Sequence, residues 1–104
     1  EPLVEQYSLR ATKSGFYPVM TRGSKAPTSL TWLEKGEVWK FGTTKNPLTR
    51  YPQSYLDNIG EYGVSYKGEF SGALKEALSL ERMKILNFKL QSGGLLPPGN
   101  KIIR

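Results

Sequence analysis

From Ser71 or Gly72 to Gln91 the chain runs without an internal glycine or proline, and it stops at Gly93-Gly94. This is the one stretch that reads as a long helix, and a long helix needs a surface on which to bury one side. On a wheel of 3.6 residues per turn, Leu74, Ala77, Leu78, Ile85 and Phe88 form an apolar stripe. Glu81 falls inside that stripe, three residues after Leu78 and four before Ile85, whereas Glu76 points nearly opposite. A carboxylate on the core side is costly unless something compensates it. It is either paired, on a salt bridge or where the stripe reaches the domain edge, or it is a metal ligand or catalytic group at the rim of a cleft.

The remainder reads as short strands and turns. Leu3 to Thr12 alternates and predicts a strand, Lys13-Ser14-Gly15 a turn, and Phe16 to Thr21 a second strand that Pro18 confines to an edge or bulge. Ser29 to Leu33 and Glu37 to Thr43 predict two strands around the turn Glu34-Lys35-Gly36. Asn46 is a natural N-cap and Pro47 a natural first helical residue, so a short helix holding Arg50 is expected there, interrupted at Pro52 and resumed over Gln53 to Asn58. Val64 to Phe70 alternates as a further strand, and the tail from Leu95, with Pro97-Pro98-Gly99, should be extended. The 104 residues suit one domain, 1–104, with one modest core, and no apolar run approaches a membrane span.

Histidine and cysteine are both absent, which excludes a Ser-His-Asp triad, a histidine base and a Cys/His zinc site within the chain. Asp57 is the only aspartate, so a multi-aspartate metal cage is not expected either. Chemistry is left to Tyr, Lys, Arg, Asp, Glu or a metal held by oxygen ligands. Fifteen Lys and Arg against nine Asp and Glu give a net charge of +6, a field that attracts nucleic acid or an acidic protein, beside the plain alternative of solubility charge.

The run from Trp39 to Tyr51, WKFGTTKNPLTRY, resembles the second half of the GIY-YIG nuclease signature. There a strand ends in a Y-I-G-like triplet and an arginine follows about eight residues later; Gly42 and Arg50 have that separation, with Lys40 in the tyrosine's place. Glu76-Ala77-Leu78-Ser79-Leu80-Glu81 resembles the helix whose last glutamate binds the metal, and Asn100 the asparagine that follows it. The first triplet resembles Gly15-Phe16-Tyr17, with an inserted loop from Arg22 to Pro27, although strict hairpin spacing would put the tyrosine's equivalent near Ser29.

The resemblance implies an α+β fold with a small central antiparallel β-sheet flanked by helices, GIY-YIG-like. It implies an endonuclease hydrolysing phosphodiester bonds, DNA favoured over RNA, with one divalent cation, Mg²⁺ or Mn²⁺, on Glu81. Arg50 would grip the scissile phosphate, Tyr17 would orient or deprotonate the attacking water, Lys40 would supply positive charge, and Asn100 would position backbone or a ligand water. Tyr51 and Tyr55 would line the groove, whereas Trp32, Trp39 and Phe41 read as core. Toxin-associated members share the Lys-aromatic-Gly variant, an R-Y pair like Arg50-Tyr51 and a P-P-G-N-K tail. That implies a secreted or delivered effector acting in the target-cell cytoplasm, with a cognate acidic immunity protein as partner. The alternative is a non-catalytic basic module that binds nucleic acid or an acidic protein.

Overall fold

The computed structural model describes residues 3–103. Seven elements follow in order: β1 (Val4–Ala11), β2 (Gly15–Val19), β3 (Ser29–Leu33), β4 (Val38–Thr44), α1 (Gln53–Asp57), β5 (Val64–Gly72) and α2 (Leu74–Gln91). β1 is the centre of a three-stranded antiparallel sheet in the order β4-β1-β5, and β2 and β3 form a separate antiparallel ribbon. The protein is therefore α+β with antiparallel sheets. No described helix is long and apolar enough to cross a membrane.

A central strand has two covered faces, and the sequence of β1 supplies a different chemistry to each. Tyr7, Leu9 and Ala11 alternate onto one face. They pack with Tyr17 and Leu33 of the ribbon, Trp39 of β4, Val64 of β5, and Leu56 and Ile59 around α1. Gln6, Ser8 and Arg10 alternate onto the other. Simple amphipathic reasoning would put those polar side chains in water. Gln6 and Ser8 are instead fully buried, because α2 lies over that face, and the burial is tolerable because the groups are paired.

Gln6 Nε2 donates to the Tyr7 carbonyl at 2.8 Å, while its Oε1 accepts from Lys84 Nζ of α2 at 2.6 Å. Ser8 Oγ donates to Glu69 at 2.5 Å, and Arg10 donates to both Ser8 and Glu69, at 3.0 and 3.1 Å.

The long helix covers the sheet with only part of its expected stripe: Phe88 is half-buried, and Leu74 and Leu78 are exposed because they border an open cleft. Ala77, Glu81 and Ile85 are its buried residues, spaced four apart along one face. Glu76 in the first turn and Lys89 in the last complement the helix dipole. The end is set by Gly93 and Gly94, both with positive φ, which lets the Gly94 N–H turn back to the Lys89 carbonyl.

One local reading of the sequence is corrected. No helix starts at Pro47: Asn46 to Thr49 closes only a single turn, Thr49 N–H to the Asn46 carbonyl, and α1 begins after Pro52. The residue before a proline avoids helical backbone, so Pro52 ends any helix begun at Pro47 before it completes a second turn. Arg50 therefore sits in a bend between turn and helix. The turn Glu34-Lys35-Gly36 does not close a pair of neighbouring strands, since β3 pairs with β2 and β4 with β1. It carries the chain from the ribbon to the sheet.

The tail is extended and closes the outer edge of β4. Gly99 N–H donates to the Trp39 carbonyl, and the Pro98 carbonyl accepts from Met20, so one segment ties sheet to ribbon.

The Glu69 carboxyl is pushed up by burial, but hydrogen bonds from Ser8 and Arg10 and the charges of Lys84 and Arg10 outweigh that and hold it below the usual glutamate value. A carboxyl lowered on folding stabilises above its unfolded pKa of about 4.3, and that contribution disappears as pH falls through the folded value. Glu69→Gln should cost about 1.5 kcal/mol at pH 7 in urea unfolding. The gap to wild type should narrow as pH falls below about 4.3 and vanish once Glu69 is protonated in the folded protein as well. A gap that persisted there would remove the ionic explanation.

Candidate active site

The site is built around Gly42. In register it faces Tyr7 across the β1–β4 pair, and the Tyr7 ring lies directly over it. A Cβ on residue 42 would overlap the Tyr7 phenol, so glycine is required here by close approach and not by backbone conformation.

Tyr7 Oη is hydrogen-bonded to Tyr51 Oη at 2.6 Å. The Tyr7 ring also stacks on Tyr66 at 4.9 Å, and Tyr66 donates to Glu5 at 2.7 Å. Tyr51 in turn stacks on Tyr55 at 5.3 Å, and the Arg50 guanidinium sits 4.4 Å from its ring centre. Lys40 Nζ approaches the same ring at 5.9 Å. Tyr51 is thus an aromatic plate carrying two cations. Among the described residues no carboxylate forms an ion pair with Arg50, which is exposed.

Glu81 approaches β4 from the opposite face, one residue along. Its Oε1 accepts from Thr43 Oγ1 at 2.7 Å. Its Oε2 is buried with no hydrogen-bond partner, and the residue is only 1% exposed. A cleft of about 270 Å³ opens beside it, lined by Thr43, Lys45, Leu74 and Leu78. Arg50 does not border this cleft.

The two charges meet electrostatically at Tyr7. Burial pushes its phenol far above the ordinary tyrosine range and the Tyr51 hydroxyl adds to that, while Arg50 pulls it down and Glu81 pushes it up. Tyr55 is also raised, by burial first and then by Tyr51, with Arg50 opposing.

The structure brings Lys40 and Arg50 together on the Tyr51 ring beside Tyr7, whereas Glu81 bonds Thr43 from the other face of β4 and its cleft is not shared with Arg50. Asn100 lies one strand position away as a clamp: its Oδ1 accepts from the Phe41 N–H and its Nδ2 donates to the Phe41 carbonyl, both at 2.9 Å. With both ends of its amide so engaged, Asn100 holds β4 in place.

Tyr17 is not brought there. It is fully buried in the core, and its hydroxyl donates to the carbonyls of Lys13 and Gly63 at 2.8 and 3.0 Å. A phenol with its proton committed to backbone carbonyls and no solvent access cannot meet an attacking water. Ser29, at the end of β3, pairs with Val19 in the ribbon and is not part of the cluster either.

Tyr7 and Thr43 are the site residues that sequence reasoning misses. The signal for Tyr7 is the pairing of the strand Leu3 to Thr12 with the Lys-Phe-Gly strand, which places a large aromatic opposite the glycine.

Among the described residues no group of three or more Asp, Glu, His or Cys could hold a metal ion. The donor set at Glu81 is one carboxylate oriented by a hydroxyl, with one free oxygen. That fits a cation that takes most of its ligands from water and substrate oxygens.

No known family, curated protein or solved structure matches the chain.

Gly42→Ala should destabilise the protein by about 2 kcal/mol through overpacking. In a Tyr7→Ala background the same change should cost under about 0.5 kcal/mol, because the ring it strikes is gone. Thermal unfolding of the four proteins gives the coupling; an equal cost in both backgrounds would refute the contact.

Proposed function

We propose that the chain is a metal-dependent endonuclease of the GIY-YIG type. The observation that carries this is Glu81: a carboxylate buried in the middle of α2 with one oxygen unpaired beside an open cleft. Charge burial of this kind costs stability and gains nothing for the fold, whereas it suits a ligand awaiting a cation. The order of parts supports the reading, with the Lys40-Phe41-Gly42 strand, Arg50, β5, the Glu81 helix and the Asn100 tail following as the resemblance requires.

The reaction is displacement at phosphorus: a water oxygen attaches and gives up a proton to solvent, the bond to a sugar oxygen breaks, and that oxygen takes up a proton from solvent to leave as an alcohol. Arg50, a permanent cation on the Tyr51 plate, holds the scissile phosphate. Lys40, on the same plate, adds positive charge. Tyr51 takes the role that the sequence resemblance gives to Tyr17. Tyr7, buried and with its pKa raised, keeps its proton at neutral pH and holds the half-buried Tyr51 hydroxyl, which orients the attacking water. Glu81, oriented by Thr43, would hold Mg²⁺ or Mn²⁺. When bound, the cation supplies charge stabilisation at the leaving oxygen. Asn100 keeps β4 straight beneath the site.

The resemblance extends the proposal to DNA as the favoured substrate, to an effector role at the end of a larger secreted protein, and to an acidic immunity partner for the +6 domain. One observation favours the competing reading of a non-catalytic basic module: the site offers a single carboxylate. A plasmid-nicking assay with Mg²⁺ and with EDTA separates the two, since binding without strand breaks across several metals would leave the module.

Arg50→Ala should lower the cleavage rate by about 100-fold or more. Its stability should stay within about 1 kcal/mol of wild type, since an exposed arginine contributes little to the fold. Full activity in the folded variant would remove the central assignment.

Glu81→Gln should abolish cleavage while raising metal-free stability by on the order of 1 kcal/mol, because a buried charge is replaced by a neutral amide of the same shape. Added Mg²⁺ should raise the melting temperature of wild type and not of Glu81→Gln. Equal Mg²⁺ shifts in both proteins would place the cation elsewhere.

A further inference from the structure

Beyond the catalytic cluster a groove runs along the C-terminal tail. It consists of three joined depressions. One of about 350 Å³ is bordered by Lys40, Tyr55, Asn58 and Lys101. The next, of about 340 Å³, shares Lys40 and Lys101 and adds Arg22. The last, of about 440 Å³, shares Arg22 and Lys101 and runs between the β2–β3 ribbon and the tail. Shared walls make them one track. No Asp or Glu borders any of the three, although the chain has nine acidic residues.

The acids lie elsewhere. Glu5 and Glu69 are on the sheet, tied to Tyr66 and to Ser8 and Arg10. Glu34 is at the turn, holding Ser14 and Trp32.

The track is continuous with the proposed phosphate site, because Lys40 and Arg50 share the Tyr51 ring. Where it leaves that site it passes Tyr55, which stacks on Tyr51 and remains 47% exposed. Cations in succession with an aromatic surface at one end match the sugar-phosphate backbone of an unpaired strand, with one base stacked. A duplex would present no free base face to Tyr55.

We infer that this groove binds a single-stranded stretch of nucleic acid on one side of the scissile phosphate, with Lys40, Lys101 and Arg22 as successive phosphate contacts and Tyr55 as a base-stacking surface. The inference rests on the nuclease reading for its direction, but its test does not depend on cleavage. Lys101 borders all three depressions, and its Nζ donates to the Ser24 carbonyl at 2.9 Å, in the loop that carries Arg22.

The test is the affinity of the metal-free protein, in EDTA, for a fluorescein-labelled single-stranded 12-mer across a salt series. Arg22→Gln with Lys101→Gln should weaken binding about tenfold and reduce the salt slope by about 1.4, two phosphate contacts at about 0.7 each. Tyr55→Ala should weaken binding about fivefold or more with the slope unchanged. Lys35→Gln with Lys67→Gln removes the same two charges from exposed positions outside the track, and should change affinity by less than about twofold.

Equal losses in the two double variants would reduce the track to net charge and overturn the inference. Tighter binding of a duplex of the same sequence would overturn it as well. Strand breaks without dependence on Arg22 and Lys101 binding would sink this inference alone, and track-dependent binding without strand breaks would sink the nuclease reading alone.

Discussion

The structure depends on the placement of β1 at the centre of its sheet, with Tyr7 laid across Gly42 of its neighbour. That one contact fixes three things. It sets the separation between the Tyr7 phenol and the β4 backbone, since only a residue without a side chain lets the ring lie flat there. It directs Tyr7 Oη to Tyr51, and so fixes where the Arg50 guanidinium can rest. It also brings the phenol to the strand that Glu81 reaches from beneath through Thr43. A bulkier residue at position 42 would have to displace the ring, and with it the hydroxyl to which both charges are coupled.

The two faces of β1 use opposite solutions to the same burial. On the ribbon side, apolar and aromatic area leaves water, and the side-chain polar atoms of the rings are bonded at the periphery. On the helix side a polar row is buried, with each group given a partner: Gln6 by Lys84 and the Tyr7 carbonyl, Ser8 and Arg10 by Glu69. A hydrogen bond of this sort contributes only about 1 kcal/mol net, but an unmade one costs more than that. The polar face therefore specifies the seating of α2 more than it strengthens it. A helix shifted by one turn would separate Gln6 Oε1 from Lys84 Nζ.

How far the sequence reveals this differs from residue to residue. Periodicity carries α2 and the inward position of Glu81, because a helical stripe is a local property of 3.6-residue spacing. It also carries the strands, to within a residue or two at most ends. It does not carry which strands pair. The order β4-β1-β5 joins residues 4–11 to residues 38–44 and 64–72, and no local pattern encodes a pairing across thirty or sixty residues. That is why Tyr17, beside a glycine and a phenylalanine, resembles the first tyrosine of the signature, while Tyr7, inside an ordinary alternating strand, does not. The expected helix after Asn46 fails for a local reason instead: the capping residues are present, but Pro52 limits the segment between them to a turn. Trp39 is buried as expected, whereas Trp32 is half exposed against Phe16, because the ribbon has only one covered face.

Among the described residues, Glu81 Oε2 is the one buried side-chain oxygen or nitrogen without a hydrogen-bond partner. The contrast with the rest of the same interface is what gives it meaning. On the neighbouring strand, beneath the same helix, the buried row of Gln6 and Ser8 is paired, so this sequence is capable of satisfying such atoms. Lys45 borders the Glu81 cleft and Lys84 lies one turn along the helix, yet neither closes on the carboxylate as an ion pair. A residue selected for stability alone would be the leucine or alanine that the stripe otherwise uses. Leaving a carboxylate oxygen open in that position, beside the strand that carries Gly42 and within electrostatic reach of the tyrosine that senses Arg50, is stability given up at a single atom. A cation arriving with a phosphate is the partner that would restore it.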